Sequence, residues 1–80
     1  MAIKRVRFTF PEEQIKEPVI YRIGHEFNVV TNVRMADVDE KTGWVLLELE
    51  GEAHEIQRAI AWAQEHGVRV DPVAGDVVEG

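Results

Sequence analysis

The chain contains no cysteine, which excludes disulfides, iron-sulfur clusters, thiol catalysis and cysteine-based zinc sites, and suits a reducing compartment. The lack also bears on stability. A domain of 80 residues buries only about 60% of its unfolded surface, and such domains commonly rely on disulfides, metals or oligomerisation. With the first of these gone, oligomerisation is the expected remedy. Long apolar runs are missing as well. None approaches the roughly 18 residues that a membrane-spanning helix needs, and no signal peptide is visible, so a cytoplasmic location without direct membrane insertion is expected. Basic charge is scarce: nine Lys and Arg stand against fifteen Asp and Glu, for a net charge of -6. Lys4, Arg5 and Arg7 form the only dense basic group, whereas a phosphate backbone asks for a broad basic face, so nucleic acid is not an expected partner. The three histidines, His25, His54 and His66, show no metal-ligand spacing, and Asp37, Asp39 and Glu40 read as part of a solvated turn. Neither a metal nor a cofactor is expected.

What is present is a regular alternation of short elements. Arg5 to Phe10 places Val6, Phe8 and Phe10 on one face and Arg5, Arg7 and Thr9 on the other, the pattern of a half-buried strand. Pro11-Glu12-Glu13 breaks it. Pro18 is tolerated only in the first turn of a helix, so a helix is expected from about Glu17, with Val19, Ile20, Ile23 and Phe27 on its apolar side. Gly24 interrupts that pattern and would allow the helix to approach the sheet closely. A second strand is read from about Asn28 to Val38, a polar turn over Asp39-Glu40-Lys41-Thr42-Gly43, and a third strand over Trp44 to Glu50. In that third strand Val45, Leu47 and Leu49 would face the helices, with Leu46, Glu48 and Glu50 on the open side. Ile56, Ala59, Ile60 and Ala63 mark a second helix over Glu52 to His66, with Gly67 as its left-handed terminator and Trp62 on its flank. Val68-Arg69-Val70 is a short last strand before Pro72. Residues 1–73 are thus one domain, and residues 74–80 are expected to be an acidic, flexible tail.

The order β-α-β-β-α-β with a central hairpin is the split ferredoxin-like motif, an α+β fold. It implies a four-stranded antiparallel sheet of order 4-1-3-2 with both helices on one face, which makes the second strand an edge. Asn32 lies in the middle of that strand, in the run Phe27-Asn28-Val29-Val30-Thr31-Asn32-Val33-Arg34-Met35. A carboxamide is depleted in strand interiors and, if buried without partners, costs about 1 to 3 kcal/mol. If Val29, Val33 and Met35 face the helices, Asn32 faces the open side beside Val30 and Arg34. Asn32 then reads either as an edge residue bonded to water or as an anchor for a ligand with both donors and acceptors, such as an amino acid.

The run from Phe27 to Val33, the Gly43-Trp44-Val45-Leu46 strand start and the stretch Ala59-Ile60-Ala61-Trp62-Ala63-Gln64-Glu65-His66-Gly67-Val68-Arg69-Val70 together resemble the NIL domain, over essentially residues 3 to 73. That family is named for an Asn-Ile-Leu triplet, matched here by Asn32-Val33-Arg34. Val33 is conservative; Arg34 replaces a leucine. The resemblance implies a regulatory domain of methionine-import transporter ATPases, in which methionine binds at a homodimer interface beside the motif asparagine. It also implies a possible transporter ATPase or sulfur-metabolism enzyme as partner. Carried over by position, Asn32 would hold the polar end of a methionine-like amino acid, with Val30, Met35 and Phe27 as neighbouring apolar contacts and Arg34 next to the site. No phosphate-binding glycine loop occurs, so the chain itself is not the ATPase, and no catalytic residue is assigned. Acylphosphatases share the expected fold, but Pro11-Glu12-Glu13-Gln14 stands where they carry an anion loop, and its carboxylates would repel phosphate. The alternative to a sensor is a ligand-free oligomerisation or interaction module that pairs through the edge strand and the open sheet face.

Overall fold

A computed structural model describes residues 1–11, 18–38 and 42–73 of the chain. Its elements are β1 (Ala2–Pro11), α1 (Val19–Glu26), β2 (Val29–Val38), β3 (Thr42–Gly51), α2 (Ala53–Glu65) and β4 (Arg69–Pro72). One antiparallel sheet has the order β2-β3-β1-β4, which is the expected ferredoxin-like arrangement read from the opposite edge. The expected helix start at Glu17, the turn residues 39–41 and the tail 74–80 lie outside the described residues.

Strand alternation decides what is buried. Val6, Phe8 and Phe10 of β1, Val29 of β2 and Val45, Leu47 and Leu49 of β3 meet Val19 and Ile23 of α1 and Ile56, Ala59 and Ala63 of α2, with Val68 closing the layer. Each fully buried aliphatic or aromatic side chain contributes roughly 1.5 to 3 kcal/mol relative to exposure. Among the described residues the core is therefore wholly apolar, and it lies between the sheet and its two helices. Two glycines are required by this geometry. Gly67 has φ 89° and ends α2, where a side chain would be strained. A Cβ on Gly51 would lie 2.7 Å from the Asn28 carbonyl oxygen, so the β2–β3 ladder closes there only around a residue with no side chain. Gly24 is different. A Cβ there would sit 3.7 Å from Thr31 Oγ1, ordinary contact distance, so the expected close approach of helix to sheet does not depend on this glycine.

A second difference concerns β2. Its pairing with β3 runs in step from Val29↔Gly51 to Val33↔Leu47, then resumes at Met35↔Leu46. Arg34 is the extra residue of a bulge. A bulge shifts the alternation by one position, so Met35 faces the open side with Leu46, not the helices as expected. The strand's neighbours are also less enclosed than its composition suggests: of β2 only Val29 is buried. Pairing on one side alone, at the end of the sheet, leaves the rest exposed.

Candidate functional site

The open face of the sheet is organised in rows that cross the strands. One row is Asn32 on β2, Glu48 on β3 and Arg5 on β1, joined by the pairings Asn32↔Glu48 and Arg5↔Glu48. The next is Met35, Leu46, Arg7 and Asp71. Successive residues on one face of a strand lie roughly 7 Å apart, so a polar row and a partly apolar row lie side by side.

Glu48 is the electrostatic centre. Arg5 Nη2 donates to Glu48 Oε2 at 2.6 Å, and Arg34 Nη1 lies 3.9 Å from Oε1. The hydrogen bond from Arg5 is the main reason the Glu48 carboxyl titrates below the usual glutamate range; partial desolvation opposes it, while the charges of Arg34 and Arg5 and a hydrogen bond from Asn32 add to the lowering. Asn32 thus stands directly across the ladder from Glu48, on an exposed strand. Beside this row a cleft of about 310 Å³ is lined by Arg7, Met35, Trp44, Leu46, Pro72 and Val73. The Arg7 guanidinium lies 5.9 Å from the centre of the Trp44 ring, close enough for a cation-π contact. The arrangement can receive a small molecule with a charged or hydrogen-bonding head and an apolar tail.

Four of the five candidate residues come together on or beside this face: Asn32, Arg34 and Met35 midway along the edge strand β2, and Val30 one row further along opposite Glu50. Phe27 does not join them. It packs in the helix layer, with its ring 6.2 Å from Trp62 and under the Arg58 guanidinium. The reason is its position at the C-terminus of α1, before the chain enters the sheet. Trp62 is flank packing, between Phe27 and His66 and beneath Arg22. Glu48 and Arg5 were legible as open-side residues of their own strands, but nothing in the sequence places them beside Asn32. Opposite charges at the centres of strands destined to pair are the signal that could have drawn attention to them. Among the described residues, no group of three or more His, Asp or Glu is placed to hold a metal ion, and no helix is long and apolar enough to cross a membrane.

A family profile described as the NIL domain matches residues 4–72. The methionine import ATP-binding protein MetN of Escherichia coli is 33% identical over 73 residues, covering 86% of this chain and 21% of that protein. MetN 1 of Salmonella choleraesuis is 32% identical over 74 residues, 88% of this chain and 22% of that protein. The chain thus spans about a fifth of the length of the curated relatives it matches. The crystal structure of the C-terminal domain of an ABC transporter ATP-binding protein from Enterococcus faecalis superposes with a TM-score of 0.78 at 26% identity, over 91% of this chain and 86% of that one.

Proposed function

The chain belongs to the NIL domain family, and from that membership we propose that it is a non-catalytic regulatory domain that binds methionine or a related sulfur amino acid on the open face of its sheet, in a cytoplasmic homodimer associated with a transporter ATPase. The observation that carries this reading is the clustering of Asn32, Arg34 and Met35 beside an apolar cleft, since a polar anchor next to an apolar slot is what a thioether amino acid needs. The names of the methionine import relatives support the ligand class. Regulation would operate by population shift: a ligand that binds one dimer arrangement better than another biases the partner by that difference in affinity. Isothermal titration of the chain with L-methionine is expected to give heat that Asn32→Ala weakens at least about tenfold, the loss of one charge-assisted hydrogen bond. An unchanged titration in that variant would remove Asn32 from the site.

A ligand-free interaction module is the second reading. It is favoured by one observation, the exposure of Val30, Val33, Met35 and Val38 at half or more along β2, on an edge that can accept a further strand. A stable dimer that gives no heat with any amino acid would select it.

A further inference from the structure

The row Asn32–Glu48–Arg5 holds opposite charges in unequal contact. Arg5 takes Glu48 Oε2 at 2.6 Å, but Arg34 stands 3.9 Å from Oε1, beyond hydrogen-bonding distance. Arg34 is the unpaired residue of the bulge, on the same side of β2 as Asn32, and its side chain is half exposed. A carboxylate has about four lone-pair sites and a guanidinium five N–H donors, so Glu48 and Arg34 can each take a further partner without losing the contacts described. The chain as a whole carries a charge of -6, which repels a free carboxylate; Arg5 and Arg34 around a single Glu48 reverse that locally.

We propose that Glu48 and Arg34 form a charge clamp that selects the zwitterionic head of a free α-amino acid. The α-ammonium sits on Glu48, the α-carboxylate on Arg34, and the Asn32 carboxamide hydrogen-bonds between them. The side chain runs along the strands to the next row, where Met35 and Leu46 open into the cleft that Trp44 and Arg7 also line. That row is roughly 7 Å away, within reach of an unbranched side chain. The clamp rests on the reading that this face binds an amino acid, and it adds which two charges the ligand must carry. It makes Arg34, the position that departs from the family triplet, a specificity-determining residue. The competing account is that Arg34 only blunts the sheet edge with a solvated charge and that Glu48 serves Arg5 alone.

The two accounts differ in how they treat masked ligands. L-methionine, its methyl ester, which lacks the carboxylate, and N-acetyl-L-methionine, which lacks the ammonium, are titrated into the wild-type chain with backbone amide shifts of β2 followed by NMR. The clamp expects each masked ligand to bind about tenfold or more weakly than methionine, the cost of losing one charged hydrogen bond. In Arg34→Leu the gap between methionine and its ester closes while the N-acetyl gap remains; in Glu48→Gln the pattern is reversed. Equal binding of all three ligands to the wild type, a comparison that needs no variant to fold, overturns the clamp and leaves methionine binding intact. Gaps that persist in both variants also overturn it, because the charges are then read elsewhere. If methionine itself moves no β2 resonance, the amino-acid reading fails and the clamp fails with it.

Discussion

At the scale of single residues, Glu55 illustrates how one side chain ties two elements together. Its Oε1 accepts the Asn28 N–H at 3.1 Å and its Oε2 accepts Arg58 Nη1 at 2.6 Å, so the first turn of α2 holds the entry to β2. The Asn28 N–H is the main cause of a Glu55 pKa below the ordinary value, with Arg58 and His54 adding to it against desolvation. A carboxyl whose folded pKa is depressed binds fewer protons in the folded chain than in the unfolded one. Its contribution to stability is therefore fully present above the unfolded pKa and is lost as pH falls through the folded one. Glu48 acts in the same direction. Urea unfolding of the wild type is expected to show a midpoint that falls steadily from the ordinary glutamate pKa of about 4.3 downward. Glu55→Gln should lower the midpoint at neutral pH and flatten this acid limb; an acid limb as steep as that of the wild type would show that Glu55 does not contribute. None of this was legible beforehand, because Glu55 reads as one more exposed helix acid until the fold brings Asn28 against it.

At the scale of elements, α1 and β2 differ from what their sequences imply, each for a local reason. Helix α1 has eight residues, no side-chain cap and no acidic residue in its first turn, so it depends on burying Val19 and Ile23 against the sheet. Within it Gly24 weakens the helix without a compensating contact that needs it. Gly24→Ala is accordingly expected to raise stability by about 0.5 to 1 kcal/mol in denaturant unfolding. A destabilised variant would mean that Thr31 and the Val29 carbonyl cannot accommodate the methyl group. Strand β2 is the converse case. Its length and edge position were readable from turn residues and motif order, but the bulge at Arg34 was not. Pairing geometry creates a bulge, and single-strand alternation carries no record of it. That one inserted position turns Met35 to the open face and gathers the candidate site there.

For the molecule as a whole, the apolar core is small and β2 offers an unpaired edge with Val30, Val33, Met35 and Val38 exposed. Marginal size and an apolar edge are together what the proposed homodimer would relieve. Sedimentation velocity is expected to show dimer at micromolar concentration. Val33→Lys, which places a charge on an already half-exposed edge position, should shift the population to monomer with an unchanged far-ultraviolet spectrum. A monomeric wild type across that range would count against β2 as the dimer edge.

The sequence by itself determined the element order, the core residues of β1, β3 and α2, the stop at Gly67 and the placing of β2 at an edge, because alternation, helical spacing and turn chemistry are local properties of the chain. It also marked Asn32, since an amide in an apolar run is anomalous without any knowledge of its neighbours. Only the tertiary structure decided that Glu48 and Arg5 stand in the same row as Asn32, that Arg34 is a bulge residue, that Met35 joins the open face and that Phe27 belongs to the helix layer. These depend on cross-strand register and on where each chain segment enters the sheet. Both are set by the packing of residues far apart in sequence, not by any pattern within one strand.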